Sequence, residues 1–317
     1  MSRSSTAAAD IEQRMRESSG PVVVGFDGST EGEAALAFAS ALAQRRGTRL
    51  RIVTAYTLVV SELGWSVGAP WDSQVLDSIR ALAERDADQA VDLVAARHPG
   101  LSVERIVQPG PAAAVILDAT RDAAVVVVGR HGRNGFLDKL LGGTSREVAT
   151  HCSAPTIVVR DAVPAGTKVV VGIDGSPDSV GALAFAFDMA SRYGYDLVAV
   201  HTWDVPPIGA ITGVPSPEPA ELVRDVADNE ARAALEELSG FSDSYPDVHV
   251  DHRIVRGSPV HTLVAEAEGA ALVVVGSRGR GGFLGLILGS VSHGILHHAT
   301  CNVAVVTAEG ARRRAVG

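Results

Sequence analysis

The sequence predicts an α/β protein built from two tandem domains, each doubly wound around a five-stranded parallel sheet with helices on both faces. Three observations carry this. First, the chain repeats itself: "VVVGFDGS" (22–29) returns as "VVVGIDGS" (169–176), with seven of eight positions identical. "AAVVVVGRHGRNGFLDKLLGG" (123–143) returns as "AALVVVGSRGRGGFLGLILGS" (270–290), with thirteen of twenty-one identical, and both pairs share an offset of 147 residues. Second, the strand-like runs are rich in Val and Ile and mostly unalternated, as in strands buried on both faces of a parallel sheet. Third, helix-type patterns fill the gaps between them, which gives a βα alternation with short crossovers.

Each element follows in order. In the first copy, strands are expected at 21–27, 50–56, 102–108, 124–129 and 155–160. After the first, Ala35, Ala39 and Leu42 fall on one helical face by i, i+4, i+7 spacing. In the second copy Ser176 followed by Pro177 reads as an N-cap and first helical residue. "PTIVVR" (155–160) and "NVAVVT" (302–307) keep the same offset and end each sheet. Pro and Gly mark a linker at 162–167 between domains at 20–161 and 168–308, with flexible ends at 1–19 and 309–317.

Composition narrows the function. At 317 residues there is room for two domains. A net charge of −9 argues against wide nucleic-acid contact, the one basic cluster being Arg312, Arg313 and Arg314 in the terminal tail. Two cysteines, Cys152 and Cys301, imply no disulfide framework and suit a reducing cytoplasm. The first twenty residues lack a signal-peptide core, and no apolar run approaches the ~20 residues of a membrane span.

Sheets of this kind bind ligands beyond the carboxyl ends of their strands, where strand order reverses. The residues at those ends are Asp27 and Asp174 after the first strands, Val53 to Tyr56 and Val200 to Trp203 on the second, and the glycine stretches after the fourth. A loop that cradles phosphate must bring backbone N–H groups close to the oxygens. Glycine removes the Cβ that would block this and adopts the φ values such a turn is expected to need. Gly289-Ser290 then opens a helix, whose free N–H groups and dipole attract anions. Ser290 is a candidate to cap that helix, to donate to a phosphate, or to do both.

At these residues the chain resembles the universal stress protein family, in its tandem-domain, ATP-binding class. The motif is G-x2-G-x9-G followed by Ser or Thr, matched in the second copy by Gly276, Gly279, Gly289 and Ser290. "VVVGIDGS" with Asp174, and "GSPVHTLVAEA" from Gly257, also look like that family, and the resemblance covers roughly 20–307. It implies a Rossmann-like, adenine nucleotide alpha hydrolase-like fold and ATP binding, with Mg2+ bridging phosphates but no fixed protein ligands. By the same resemblance Asp174 and Val200 would line the adenine and ribose end. Gly276, Gly279, Gly289, Ser290, Val291 and Ser292 would hold ribose and phosphates.

The first copy departs from the motif. Gly129, Gly132 and Gly142 fit, but Gly143 stands at the hydroxyl position, with Thr144 and Ser145 following. It is expected to bind as well, through the backbone, with Asp27 and Val53 on its adenine side. His131 beside the loop is either a phosphate contact or, the favoured reading, a solvated side chain.

Other chemistries fit less well. Neither lysine, Lys139 nor Lys168, sits in a G-x4-G-K-[ST] loop, and a dinucleotide fingerprint belongs after strand one. "GFDGST" lacks the first Asp of a phosphatase signature, since Gly25 stands there, and Gln108 and Val255 occupy the ends where a receiver domain needs an Asp. His293 and His297 at i, i+4, and His249, Asp251 and His252, read as surface or packing residues, so no metal site and no catalytic set is expected. The stretches 57–71 and 204–219 differ strongly between copies and are either lids, partner surfaces or variable connectors. The exposed edges expected at "PTIVVR" and "NVAVVT" invite pairing, between the copies or in a homodimer. The expected function is a cytoplasmic, nucleotide-responsive regulator of stress or growth with an unidentified protein partner. A slow ATP hydrolase and a scaffold with vestigial sites remain open.

Overall fold

The structure, a computed structural model, describes residues 20–57, 73–133, 141–204, 220–280 and 288–307. The N-terminal extension, the basic tail, Lys139 and nearly all of the stretches 57–71 and 204–219 lie outside the described residues. The chain divides into two compact units, one spanning Ser18–Val163 and one running on from Pro164.

The N-terminal unit runs β1 (Val22–Gly25), α1 (Thr30–Arg46), β2 (Leu50–Tyr56), α2 (Ser73–Arg97), β3 (Val103–Pro109), α3 (Ala112–Asp118), β4 (Val125–Gly129), α4 (Gly143–His151) and β5 (Thr156–Val159). All pairings are parallel: β1 lies between β2 and β4, β2 carries β3, and β4 carries β5. The order 3-2-1-4-5 reverses at β1, so a crevice opens beyond the ends of β1 and β4. Helices α1 and α2 pack together against one face, α3 and α4 against the other.

The C-terminal unit repeats this with β6 (Lys168–Ile173), α5 (Pro177–Tyr193), β7 (Asp196–Trp203), α6 (Ala220–Ser242), β8 (Val250–Arg256), α7 (Pro259–Glu266), β9 (Leu272–Gly276), α8 (Ser290–His298) and β10 (Asn302–Val306). Here β6 lies between β7 and β9, again all parallel, with β8 and β10 outermost. Among the described residues no helix is long and apolar enough to cross a membrane.

The expected elements form for the expected reasons. Val22, Val23 and Val24 are fully buried, as are Ala35, Ala39 and Leu42 on the inner face of α1. Burying each large apolar side chain contributes roughly 1.5–3 kcal/mol, which is why unalternated Val runs end up inside. Ser29 caps α1 by accepting from the Gly32 N–H, and Gly47 ends it at φ 63°. Ser176 caps α5 by accepting from the Ser179 N–H, with Pro177 opening the helix and Gly194 closing it at φ 65°. These caps fix where β1 and β6 hand the chain to their helices, and so where Asp27 and Asp174 stand.

Candidate functional site

In the C-terminal unit, β6 ends in the turn Asp174-Gly175-Ser176, with Gly175 at φ 74°. Asp174 Oδ1 accepts from the Ser176 N–H and Oδ2 from the Arg280 N–H, each at 3.0 Å. One carboxylate therefore ties the end of β6 to the turn after β9. A second does the same from α5: Asp178 Oδ2 accepts from Ser277 Oγ at 2.5 Å and from the Arg278 N–H at 2.9 Å. Asp178 is 3% exposed, so these hydrogen bonds and the Arg278 guanidinium 3.6 Å away are what its buried charge requires.

The glycines of the turn follow from these ties. A Cβ on Gly279 would lie 2.5 Å from Asp174 Oδ2, and one on Gly276 would lie 2.8 Å from the backbone carbon of Asp178. On Gly289 it would lie 3.3 Å from the Ser277 carbonyl oxygen. The expectation that these glycines supply unusual φ values is not met. Among the described residues the left-handed positions near the site are Gly28 and Gly175, and none of Gly129, Gly132, Gly142, Gly143, Gly276, Gly279 or Gly289 is one. Close approach, not left-handed backbone, accounts for them.

Helix α8 then begins at Ser290 with Gly289 as N-cap. Ser290 is thus not the cap: it is the first helical residue, exposed, and no side chain caps this helix. The first intrahelical bond runs from the His293 N–H to the Gly289 carbonyl, which leaves the N–H groups of Ser290, Val291 and Ser292 without helical acceptors. The Ser292 hydroxyl is committed elsewhere, donating toward the Gly276 carbonyl at 2.6 Å and the Ser277 carbonyl at 3.1 Å. It fastens the helix start to the end of β9.

Beside this helix end lies a cavity of about 470 Å3. Val200, Leu263 and Val275 give it an apolar wall, and Gly276, Gly279, Gly289, Ser290, Val291 and Ser292 form its other side, with Asp174 between them. All eight residues expected for the second copy therefore line one space. His201, Glu230, Arg278 and Arg280 line it too. His201 is 4% exposed; its Nδ1 lies 3.0 Å from the Ile173 carbonyl and its Nε2 2.9 Å from Glu230 Oε2. A carbonyl only accepts, so Nδ1 carries a hydrogen and donates. Arg280 Nη1 lies 3.6 Å from the same Glu230 oxygen. On β8, burial first and the neighbouring His201 second push the His252 pKa down.

The N-terminal unit has the same ties. Asp27 Oδ1 accepts from the Ser29 N–H and hydroxyl, and Oδ2 accepts from the Arg133 N–H at 2.9 Å. A Cβ on Gly132 would lie 2.7 Å from Asp27 Oδ2, and one on Gly129 2.7 Å from the Glu31 carbonyl oxygen. Gly142 caps α4, and Ser145 Oγ donates to the Gly129 carbonyl at 2.6 Å, as Ser292 does in the other unit. A Cβ on Gly143 would meet nothing within 4 Å. The space is divided differently. Val53, Ile116, Val128, Gly129 and His131 line a cavity of only about 80 Å3. A second cavity, of about 460 Å3, lies toward α2, where Thr54, Ile79, Leu82 and Ala83 meet Gly132, Gly142, Gly143, Thr144 and Ser145. Asp27 and Gly132 border both.

Four of these residues fall outside what the sequence leads one to expect. Asp178 has a weak signal, an acid directly after Pro177 in the first helical turn. Arg278 and Arg280 flank Gly279 inside the motif itself, whereas Glu230 has no signal, because the fold alone brings it to the strand ends. The rings of His293 and His297 lie 4.4 Å apart, yet no group of three metal-ligating side chains occurs among the described residues. Cys152 and Cys301 are buried, the Cys152 thiol 3.6 Å from Thr120 Oγ1 and the Cys301 thiol 3.4 Å from the Asn302 carbonyl oxygen.

The model of the universal stress protein family matches residues 19–160 and again 166–307. A universal stress protein of Mycolicibacterium smegmatis is 38% identical over 297 residues, covering 90% of this chain and 96% of its own. One from Mycobacterium tuberculosis strain H37Rv is 33% identical over 293 residues, covering 90% and 95%. Among solved structures, a universal stress protein from Archaeoglobus fulgidus superposes with a TM-score of 0.64 at 20% identity, covering 91% of this chain and 96% of that one. At that identity the likeness speaks for the fold. Two tandem matches across nearly the whole chain, on a duplicated α/β fold, make this protein a member of the universal stress protein family.

Proposed function

We propose that the C-terminal unit binds ATP in the cavity between β6, β7, β9 and the start of α8. The observation that carries this is the joining of two surfaces in one space of about 470 Å3, a volume typical of small-molecule sites. The apolar wall of Val200, Leu263 and Val275 suits a flat base. The uncapped start of α8, with three N–H groups lacking helical acceptors, suits phosphate oxygens, and Arg278 and Arg280 add positive charge at that end. Ser290 is the exposed hydroxyl at the site. Mg2+ would enter on the phosphates, neutralising their charge.

In the N-terminal unit the start of α4 and its glycine turn form a second phosphate cradle. Occupancy of the C-terminal site would hold the turn after β9 in one state and so bias a surface read by a partner, provided ATP binds that state more tightly. This makes the chain a nucleotide-responsive regulator of stress or growth.

The test is a calorimetric titration of nucleotide-stripped protein with ATP and magnesium, read for stoichiometry. At least one site per chain, weakened by Gly279→Ala, is expected. No heat at millimolar ATP would sink the reading.

A further inference from the structure

We propose that Asp86 is an internal competitor for phosphate: in the N-terminal unit it holds the Arg133 guanidinium that an incoming phosphate must take from it. Asp86 thereby sets the affinity of that unit for an anion, and the C-terminal unit lacks an equivalent. This role rests on the reading of the α4 start as a phosphate cradle.

Arg133 and Arg280 are equivalent at the 147-residue offset, each following the second motif glycine. Their main chains are anchored alike, each N–H donating to the strand-one carboxylate, Asp27 at 2.9 Å and Asp174 at 3.0 Å. Their side chains are not. Arg133 Nη2 donates to Asp86 Oδ2 of α2 at 2.5 Å. That reach lays the guanidinium over the turn after β1, where a Cβ on Gly28 would collide with Arg133 Nη2. On Gly175, the equivalent glycine, a Cβ would meet nothing within 4 Å. Arg280 instead lies 3.6 Å from Glu230 Oε2, an oxygen that His201 Nε2 already approaches at 2.9 Å.

The two acids do not correspond. Asp86 aligns with Ala233 and Glu230 with Ala83, about one helical turn apart. Asp86 therefore detains its arginine, whereas Glu230 is served by an imidazole and leaves Arg280 looser, at 64% exposure. Asp86, Arg133, Gly132, Gly142, Gly143 and Thr144 border one space of about 460 Å3, so the ion pair and the start of α4 share it. A guanidinium binds phosphate in the same forked geometry as carboxylate. The Arg133–Asp86 side chains are 53% and 22% exposed, and a partly exposed pair is weak enough for a phosphate to displace. Displacement costs the ligand one ion pair. It also leaves the Asp86 carboxylate, like that of Asp27, bordering the space the anion has entered.

The experiment uses the full chain, with inorganic phosphate and then magnesium ATP as probes, followed by NMR. The amides of Gly143 and Thr144 report the N-terminal unit and those of Ser290 and Val291 the C-terminal unit, so the two cavities are read separately. At the N-terminal amides Asp86→Asn should bind phosphate at least about three- to fivefold more tightly than the parent, the worth of a partly exposed pair. Asp86→Ala, which installs the residue of the other unit, should do the same, and a damaged fold does not produce a gain. Binding at Ser290 and Val291 should stay within about twofold. Asp88→Asn removes the same charge from the same helix, at a residue paired with Arg105, and should leave both units within about twofold. Finally, Arg133→Gln should cost the Asp86→Asn protein about three- to fivefold more affinity than it costs the parent, because only there is the guanidinium free beforehand. Repulsion between Asp86 and the probe cancels in that comparison. Equal costs of Arg133→Gln in the two proteins, or a gain that Asp88→Asn reproduces, overturns Asp86 as the competitor and leaves the cradle standing. No shift at Gly143 and Thr144 with either probe, in parent and Asp86→Asn alike, overturns the cradle of the N-terminal unit and the role of Asp86 together.

Discussion

At equivalent positions of the two units, His201 meets Glu230 in one, while Thr54 and Ala83 border open space in the other. The backbone around them barely differs: both units tie the strand-one Asp to the turn after the fourth strand, and both fasten the next helix with a serine. The comparison teaches that the main-chain turn after the fourth strand and the side-chain wall beside it vary independently. The turn is made of main-chain groups held by a few hydrogen bonds, which both copies keep. The wall is made of side chains from β2 or β7 and α2 or α6, and two differences there, His201 for Thr54 and Glu230 for Ala83, change what borders the turn.

The sharpest way to break the comparison is to remove a cradle from one unit only. In Gly279→Ala the new Cβ falls 2.5 Å from Asp174 Oδ2, so either the carboxylate or the turn must move. Overpacking of this kind costs about 1–3 kcal/mol, and ATP affinity of the C-terminal unit should drop at least tenfold. Gly132→Ala meets Asp27 in the same way at 2.7 Å and should spare the C-terminal site. Calorimetry on the two variants separates the units; equal losses in both would mean that the cradles are not independent.

Asp174→Asn should do less. Asn offers one oxygen where the carboxylate accepts from both Ser176 and Arg280, so one of those N–H groups would face an amide NH2. An unfolding free energy lower by about 1–3 kcal/mol is expected from urea denaturation. Asp27→Asn should cost a similar amount, since its carboxylate also bonds at both oxygens. A difference well above 1 kcal/mol between the two would show that the ties are not equivalent.

Much of this architecture was legible beforehand, for identifiable reasons. Val125 to Val128 and Val169 to Val171 are buried on both faces, so an unalternated run read as a parallel strand is one. The glycine spacing marks the turn after the fourth strand in each unit, where a Cβ would meet backbone at Gly129 and Gly276 and an Asp carboxylate at Gly132 and Gly279. It misled about cause: none of the motif glycines is left-handed, whereas Gly28 and Gly175 in the turn after strand one are. The pairing of His201 with Glu230 was illegible. Those residues are 29 positions apart, and only the packing of α6 on β7 brings them together. The division of the N-terminal space was equally hidden, since a missing side chain at Ala83 leaves no mark in a pattern.

A smaller effect distinguishes the units by pH. The Arg51 guanidinium, hydrogen-bonded to Asp122, holds that carboxyl below its ordinary value. A depressed carboxylate stabilises the fold above its unfolded pKa, and the contribution fades as pH falls through the lower folded value. The corresponding positions of the C-terminal unit are Val198 and Gly269, which carry no charge. Asp122→Asn should therefore lower stability at neutral pH by less than about 1 kcal/mol, because the Asp122 side chain is 53% exposed. The deficit should shrink in acid, and amide exchange on β2 should report it while β7 stays unchanged. A deficit constant from neutral pH down through the carboxylate range would rule out this ion pair as its source.

The smallest effect is the most informative about the motif. Gly143 is where the N-terminal unit departs from the family pattern, yet a Cβ there meets nothing within 4 Å. Gly143→Ser should therefore be accepted with a stability change within about 0.5 kcal/mol, as for an unobstructed surface substitution. The added hydroxyl would stand at the first residue of α4, as Ser290 does on α8. There it can donate to a phosphate oxygen without competing with Ser145, whose hydrogen is committed to the Gly129 carbonyl. If the cradle acts chiefly through main-chain N–H groups, inorganic phosphate should bind Gly143→Ser only about three- to tenfold more tightly than the parent, one net hydrogen bond. A gain of a hundredfold would place the weight of recognition on the hydroxyl and demote the backbone, and the two cradles would then differ in kind.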